Sequence, residues 1–331
     1  MADGPTVAVL GAAGYAGAIA ASLLHRHPSL ALAHVTARAE AGRRLDDVHP
    51  RTRVPLTLEA FDPDTHGDVD AAVVGYPHGA SAPAVAALRE RGVKVVDLSA
   101  DFRLHDRATY EDWYGEHGAP GLFGQGVYGL PELHRDDIAG ADLVANPGCY
   151  PTAALLALAP LARAGAIADV VIDAKSGVSG AGRSATDTTH FVSANENVLP
   201  YKVGSHRHTP EIEQELAGLG AEVMISFTPH LVPLSQGELV SAYVTPSREV
   251  DAAALFAEAY AEEPWVEVAA GPPGTADVMG TNGCRISVHP DPRTGRITVF
   301  SAIDNLYKGA ASQAVQNLNL MLGLPEGEGL S

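Results

Sequence analysis

The sequence is poor in cysteine and in positive charge, and it has no long apolar run. Two cysteines among 331 residues, Cys149 and Cys284, exclude a disulfide framework and favour a reducing compartment. The 22 lysines and arginines against 40 aspartates and glutamates give a formal charge of -18, which argues against non-specific binding to nucleic acid or anionic membranes. No segment approaches the ~20 apolar residues of a membrane span, and the N-terminus lacks the pattern of a signal peptide. We therefore expect a cytoplasmic protein that binds neither nucleic acid nor membranes.

Apolar residues are abundant, and their pattern changes along the chain. They make up 46% of the sequence, enough for two cores, since single cores stop growing near ~250–300 residues. In the first half, apolar strands alternate with helical stretches, which is typical of a parallel sheet with helices on both faces. From about residue 165 strand-rich segments dominate, which favours a mainly antiparallel sheet. The predicted strands span 6–12, 30–38, 69–76, 93–100, 142–148, 168–177, 221–229, 237–246, 284–290 and 296–304, and the predicted helices 16–28, 81–91, 251–263 and 309–322.

The segment GAAGYAG lies directly after the first predicted strand and opens a helix. Glycines there let the backbone approach a pyrophosphate, and the N–H groups of a helix N-terminus favour its charge. The spacing Gly11-x-x-Gly14-x-x-Gly17 is not the strict dinucleotide pattern, so an ordinary strand-to-helix turn is the alternative. The second strand ends with Thr36 and Arg38 instead of an acidic residue, which favours the 2′-phosphate of NADP over the 2′-hydroxyl of NAD. The alternative for Arg38 is a solvated surface charge.

These patterns predict an α/β protein with two domains. We expect a Rossmann-type NADP-binding domain over residues 1–147, to which the C-terminal helix within 305–331 returns. Residues 148–304 are expected to form an α+β catalytic and oligomerisation domain with a mainly antiparallel sheet.

Cys149 is the first candidate for chemistry. It lies in the segment NPGCYPTA, where Pro151 fits the first turn of a helix, so the cysteine is expected at or just before the helix N-terminus. Unpaired N–H groups and the helix dipole stabilise thiolate over thiol there, which suits a nucleophile. The alternative is a small buried apolar side chain, the usual state of a free cysteine. Cys284 lies inside a strand pattern and is predicted to be an inert core residue.

Two histidines could move a proton for this thiol. His206 and His208 immediately precede a helix that we expect Thr209 to cap, with Pro210 as its first residue. Glu211 is placed to orient one imidazole. The H-x-H spacing could also bind a metal, but no third ligand stands at informative spacing, so no metal is predicted. Surface or capping histidines are the other alternative.

Two further segments suit anion binding. The segment KSGVSGAGR offers backbone N–H groups and Arg183, and DLSADFRL ends a strand with Ser99 and Arg103. Either could be purely structural. Together with a dinucleotide fold, a thiolate and a histidine, they specify acyl reduction, because a thioester accepts hydride more readily than a carboxylate and yields an aldehyde.

Several blocks of the sequence also resemble a known family. The segments NPGCYPTA, KSGVSGAGR, HRHTPEIEQ and DNLYKGAASQAVQNLNLM, with GAAGYAG, are similar to those of the N-acetyl-gamma-glutamyl-phosphate reductases of arginine biosynthesis, over essentially the whole chain. That family belongs with the aspartate-semialdehyde dehydrogenases, which share a two-domain plan and oligomerise through the second domain. The resemblance implies NADPH-dependent reduction of N-acetyl-glutamyl 5-phosphate to the 5-semialdehyde and phosphate, by a homodimer or homotetramer.

The resemblance also implies residue roles. Cys149 would be the nucleophile and His208 the acid/base group, with Glu211 orienting it and His206 as the fallback. The implied cofactor contacts are Gly11, Gly14, Tyr15, Gly17, Thr36, Arg38, Pro77, Ser99, Ser179, Gly180 and Asn305. The expected substrate and phosphate contacts are Arg103, Ser176, Gly182 and Arg207.

Three other functions stay open on the sequence alone. An aspartate-semialdehyde dehydrogenase would use the same thiolate chemistry, but the HRHTPE block is not expected in that branch. A related reductase acts on an amino-adipyl phosphate carried by an acidic protein, against which the charge of -18 argues mildly, although Arg43, Arg44, Arg51 and Arg53 could form a basic patch. A redox-sensing NADP-binding regulator would need neither the histidines nor the anion-binding loops.

Overall fold

The computed structural model describes residues 4–330, and these form two compact units. The first runs to Gly148 and resumes at Ala310, and the second comprises Cys149–Gly309. Cys149 is therefore the first residue of the second unit. None of the helices in the described part of the chain is long and apolar enough to cross a membrane.

The first unit is built on a six-stranded sheet in which every neighbouring pair is parallel. Its strands are β1 (Thr6–Leu10), β2 (Ala31–Thr36), β3 (Ala71–Val74), β4 (Lys94–Asp97), β5 (Val127–Tyr128) and β6 (Leu143–Ala145), in the order β2-β1-β3-β4-β6-β5. Its helices are α1 (Tyr15–His25), α2 (Leu45–Val48), α3 (Pro63–His66), α4 (Ser81–Arg89), α5 (Arg107–Tyr114) and α6 (Pro131–Ala139). All four residues of β3 are buried, as expected of a strand covered on both faces.

The second unit is built on a seven-stranded mixed sheet with four antiparallel and two parallel pairs. Its strands are β7 (Ile167–Gly177), β8 (Leu199–Pro200), β9 (Ser226–Val232), β10 (Glu238–Pro246), β11 (Val266–Val268), β12 (Cys284–Asp291) and β13 (Arg296–Ile303), in the order β11-β12-β13-β10-β7-β9-β8. Its helices are α7 (Cys149–Arg163), α8 (Phe191–Ala194), α9 (Thr209–Gly218) and α10 (Ala252–Ala259). The helix α11 (Ser312–Met321) then packs against α1 and α6 in the first unit.

Helix α7 forms the core of the second unit. Residues 150–162 are all buried, and the helix contacts β7, β10 and β13 on the sheet and α9 beside it. A helix that is apolar on every side is stable only when it is surrounded in this way. Its N-terminal residue, Cys149, is thereby fixed at the edge of a rigid core. The predicted α/β fold with a parallel sheet and a mainly antiparallel sheet is confirmed.

Candidate active site

The glycine turn after β1 has the backbone that close approach to a pyrophosphate requires. Gly11 has φ +80, and a Cβ atom there would lie 2.7 Å from the carbonyl oxygen of Gly75. A Cβ at Gly17 would clash with the carbonyl oxygen of Gly11. Helix α1 begins at Tyr15, with Gly14 as an N-cap that offers no side-chain hydrogen bond and no acidic residue in the first turn. Since β1 lies between β2 and β3, the turn stands where the strand order reverses, and the N–H groups at the start of α1 suit a dinucleotide pyrophosphate.

The end of β2 carries one exposed cation. Arg38 is exposed, and its guanidinium carbon lies 5.2 Å from the ring centroid of Tyr76. Thr36 is fully buried, and its hydroxyl is 2.9 Å from the hydroxyl of Tyr76. Of the two residues predicted to hold a 2′-phosphate, Arg38 is thus the accessible one, and the Thr36 contact stays a prediction.

Ser99, after β4, belongs to a buried hydrogen-bond cluster. Its hydroxyl donates to Asp97 at 2.5 Å and accepts from the Asp101 N–H at 3.0 Å. Ser81 also donates to Asp97, whose pKa is raised to about 6 by burial. Pro77 is exposed in the loop after β3. The cofactor contacts of Ser99 and Pro77 stay predictions, and the structure adds a structural role for Ser99.

Arg103 donates a hydrogen bond to Asn146, which lies in the first unit three residues before Cys149 in the chain. The buried Arg103 guanidinium donates to the carbonyl oxygens of Leu98 and Asn146, each at 2.8 Å. The Asn317 amide of α11 donates to the Asn146 side-chain oxygen at 3.1 Å and to the Gly129 carbonyl at 2.9 Å. These bonds fix the chain where it leaves β6. The phosphate contact of Arg103 stays a prediction.

Cys149 is half-buried and is the first residue of α7, as predicted. A Cβ atom at Gly309 would lie 2.8 Å from the Cys149 Cβ, so only glycine lets this backbone pass so close to the cysteine. Cys284 is buried in β12 with its sulfur 3.3 Å from the Ser301 hydroxyl, and its predicted place in the sheet core is confirmed. Helix-terminal N–H groups at Cys149 favour a thiolate there.

His206 and His208 lie against one aromatic ring but differ in burial. The Tyr150 ring meets both edge-on, with centroid distances of 5.7 Å to His206 and 5.9 Å to His208. His206 is buried, and burial, with His208 and two nearby cations, lowers its pKa to about 2. Its Nδ1 accepts the backbone N–H of His208 at 3.2 Å. Since His206 stays neutral, the half-buried His208 is the better candidate for an acid/base group.

The predicted capping of α9 is wrong by one position. His208 is the N-cap, without a side-chain capping bond, and Thr209 and Pro210 are the first two helical residues. Residues 203–205 and 207–208 form turns and His208 has helical backbone angles, so the two histidines do not lie in the extended segment that the metal alternative assumes. Glu211 is buried in the first turn of α9, and its orienting role stays a prediction.

The loop after β7 and Asn305 are joined directly. The Asn305 amide donates to the Ser179 hydroxyl at 3.0 Å and accepts from the Gly237 N–H at 2.8 Å. A Cβ at Gly180 would lie 3.1 Å from the hydroxyl of the buried Ser176. Gly182, with φ +90, and the half-buried Arg207 complete the residues predicted in this unit. Their cofactor and phosphate contacts stay predictions.

Glu238 was missed from the sequence. It is fully buried at the start of β10, directly after Gly237, and pairs in register with Ser176 of β7. The signal was available, because Val240 and Ala242 on the same strand face are buried apolar residues. An acidic residue at an inward position of an alternating strand indicates a site.

Three side chains in the first unit have the composition of a metal site. His34, Glu59 and His66 bring three potential ligand atoms within 4.8 Å of one another. The Glu59 carboxylate lies 3.3 Å from His34 Nδ1 and 3.0 Å from His66 Nε2. Hydrogen bonding to His66, with a smaller effect of His34, lowers the pKa of Glu59. These hydrogen bonds account for the grouping without an ion.

Comparison with known proteins matches both units. Residues 6–141 match the semialdehyde dehydrogenase NAD binding domain, and residues 149–305 match the semialdehyde dehydrogenase dimerisation domain. Solved aspartate semialdehyde dehydrogenases share the fold: enzyme II of Vibrio cholerae, in complex with ASA, has TM-score 0.75 at 21% identity, covering 97% of this chain and 99% of that one. The Candida albicans enzyme with NADP has TM-score 0.73 at 15% identity, covering 96% and 98%.

Three relatives that are closer in sequence share one name. N-acetyl-gamma-glutamyl-phosphate reductase of Moorella thermoacetica is 49% identical over 96% of this chain and 95% of its own length. That of Desulforudis audaxviator is 50% identical over 98% and 97%, and that of Halorhodospira halophila 49% identical over 98% and 97%. The resemblance found in the sequence is confirmed. The chain belongs to the N-acetyl-gamma-glutamyl-phosphate reductase family of semialdehyde dehydrogenases.

Proposed function

We propose that this protein reduces N-acetyl-glutamyl 5-phosphate with NADPH, giving N-acetyl-glutamate 5-semialdehyde and phosphate. The observation that carries the proposal is the half-buried Cys149 at the N-terminus of the buried helix α7, within the same unit as the His206–His208 pair. Relatives with this name at 46–50% identity over nearly the whole chain support the substrate.

The glycine turn after β1 is proposed to hold the dinucleotide. Gly11, Gly14, Tyr15 and Gly17 would face the pyrophosphate, because the N–H groups at the start of α1 favour its charge and the glycines let it approach the backbone. Arg38 would meet the 2′-phosphate, and Pro77, Ser99, Ser179, Gly180 and Asn305 are the other proposed contacts. NADPH, when bound, supplies the hydride that reduces the acyl carbon.

Cys149 is proposed to carry the acyl group. Its sulfur attacks the acyl carbon, the S–C bond forms, and the C–O bond to phosphate breaks, with phosphate leaving with the electron pair. The N–H groups of the first turn of α7 stabilise the thiolate before attack. We propose Ser176, Gly182, Arg207 and Arg103 as the groups that bind the substrate and its phosphate.

His208 is proposed to manage the proton on the substrate oxygen. As the thioester carbonyl is reduced, its oxygen takes a proton from His208, and the same imidazole removes that proton when the aldehyde forms. Glu211, buried in the first turn of α9, is proposed to orient the ring. His206 is less suited to this role, because its pKa of about 2 keeps it neutral.

The test is turnover in the easier reverse direction. NADPH formation at 340 nm is followed with N-acetyl-glutamate semialdehyde, phosphate and NADP, beside parallel reactions with aspartate semialdehyde. We expect phosphate-dependent turnover with the N-acetyl substrate alone. Turnover with aspartate semialdehyde alone would contradict the proposed substrate but not the thioester mechanism. No NADPH formation with either substrate would favour the carrier-linked amino-adipyl reductase or the NADP-binding sensor.

Replacing Arg38 by alanine should weaken NADPH binding much more than NADH binding. The exposed guanidinium after β2 is the proposed partner of the 2′-phosphate, which NADH lacks. Loss of a hydrogen bond to a charged group costs about 1.5–3 kcal/mol, or roughly 10- to 150-fold in the dissociation constant for NADPH. Fluorescence titration of the bound nicotinamide measures both constants. Equal losses for the two cofactors would contradict the assignment. Arg26→Ala, at the other end of α1, is the control and should change neither constant.

We also propose a homodimer or homotetramer that assembles through the second unit. The support is the match of residues 149–305 to a dimerisation domain. The proposed compartment is the cytoplasm, because the free thiols Cys149 and Cys284 persist in reducing surroundings.

A further inference from the structure

Glu238 is a buried carboxyl group next to the nucleophile that the chemistry above leaves without a role. It is fully buried at the first position of β10. In the sheet it lies opposite Ser176 of β7 on one side and Ile303 of β13 on the other. Glutamate is among the residues that are least often fully buried unless paired. A charge at this position is costly unless it is paired and hydrogen-bonded, so burial favours the protonated carboxyl group.

The polar groups around Glu238 come from several elements of the second unit. The Cys149 thiol at the start of α7 and the Ser176 hydroxyl both act on the carboxyl group, and Asp304, which follows β13, adds a like charge. The hydroxyls of Tyr150 and Tyr201 also experience its charge. Neither carboxyl oxygen has a hydrogen-bond partner of good geometry within residues 4–330. The carboxyl group therefore lies near the thiol, and within that range no hydrogen bond of good geometry holds it to another side chain.

The proton affinity of Glu238 is far above that of an ordinary carboxyl group. Burial raises the pKa of Glu238 to about 8, with Asp304 raising it further and the thiol and hydroxyl of Cys149 and Ser176 opposing the rise. An ordinary cysteine thiol has a pKa of ~8.5. A carboxylate whose proton affinity is raised in this way accepts a thiol proton more readily than an ordinary carboxylate does, which suits acid/base chemistry at sulfur.

We propose that Glu238 is the acid/base group for the sulfur of Cys149, a role that rests on the proposed function. Its carboxylate takes the thiol proton before attack, and the resulting thiolate then forms the S–C bond as the C–O bond to phosphate breaks. This leaves a neutral carboxylic acid, the form that burial favours. After reduction the C–S bond breaks, the sulfur takes the electron pair, and Glu238 returns the proton to it. His208 transfers the proton on the substrate oxygen and Glu238 transfers the proton on sulfur, so a different residue handles each proton.

Alkylation of Cys149 by iodoacetamide tests this role without any substrate. We expect Glu238→Gln to slow alkylation at neutral pH by about 10²-fold, the usual effect of removing a general base. The deficit should shrink above about pH 9, because hydroxide then ionises the thiol directly. Superimposed profiles would overturn the proposal. So would an equal deficit at every pH, which indicates a structural effect, or a faster reaction of the variant at neutral pH.

Several variants make the alkylation result specific. Glu132→Gln removes another buried glutamate, in the first unit, and should leave the profile unchanged. Cys149→Ser reports the background from the buried Cys284. Glu238→Asp retains a carboxylate and should retain the pH-dependent part of the profile, which keeps the test valid if the glutamine variant folds poorly. If alkylation depends on Glu238 but the N-acetyl substrate is not turned over, the proposed function is contradicted and the proposed role of Glu238 at sulfur is still supported.

Thermal unfolding gives a second readout with a definite sign. Because the pKa of Glu238 is raised from 4.5 to about 8, the folded protein favours the protonated form. This contribution to stability is fully present below about pH 4.5 and is lost as the pH rises through about 8. The Tm of the wild type should therefore fall relative to Glu238→Gln, whose amide does not titrate, across this range. A constant difference in Tm would show that the proton affinity of Glu238 is not raised and would overturn the role proposed for it.

Discussion

Replacing Cys149 by serine is expected to abolish acyl-phosphate reduction, lowering kcat by more than about 10⁴-fold. A serine hydroxyl at the start of α7 is not ionised near neutral pH, so the helix N-terminus has no thiolate to stabilise. NADPH binding should be nearly unchanged, because Cys149 is not among the proposed cofactor contacts, and the glycine turn and Arg38 lie in the first unit. Steady-state turnover and a fluorescence titration of NADPH measure the two effects separately.

The matched control is Cys284→Ser. That thiol is buried in β12, 3.3 Å from the Ser301 hydroxyl, and it lies outside the proposed machinery. We expect turnover to stay near the wild-type rate. Preserved turnover in Cys149→Ser would refute covalent catalysis at this position. A parallel loss of NADPH binding would instead indicate that the substitution disturbs the fold.

The order of strands and helices was predictable where the signal is local. β1, the glycine turn and α1 follow from apolar runs and glycine spacing alone, and α7 follows from a proline after a bend. The strand predicted at 221–229 instead forms as β9 (Ser226–Val232), and Met224 is 84% exposed. Parallel pairing with β7, from Val171 opposite Ser226 onward, sets these bounds. Tertiary partners therefore override the local apolar pattern.

The candidate site could be predicted as a set of residues but not as an arrangement. Spacing cannot separate His206 from His208, whereas burial does, since one is buried with a strongly lowered pKa and the other is half-buried. The Asn305 amide bonds Ser179, which lies 126 positions away in sequence, so its partners follow only from the fold. Glu238 meets Cys149 only because β10 and α7 pack together.

His208→Asn is expected to slow turnover by roughly 10²–10⁴-fold, the usual cost of removing a general acid/base group. Asparagine retains a polar side chain at the N-cap of α9, where His208 makes no side-chain capping bond, so the helix should persist. Alkylation of Cys149 should change little, because the proposed proton acceptor for the sulfur is Glu238. The pH profile of kcat should lose the limb that reports the imidazole.

Comparison with His206→Asn shows which of the two imidazoles is the acid/base group. His206 packs edge-on against Tyr150, Tyr201 and Phe227 and accepts the backbone N–H of His208, so its loss should act mainly through the position of His208. We expect a smaller fall in kcat than in His208→Asn, an unchanged pH limb and a lower Tm. A larger fall in kcat together with loss of the pH limb would transfer the acid/base role to His206. That result would also require substrate binding to raise its pKa well above the value of about 2 that burial imposes.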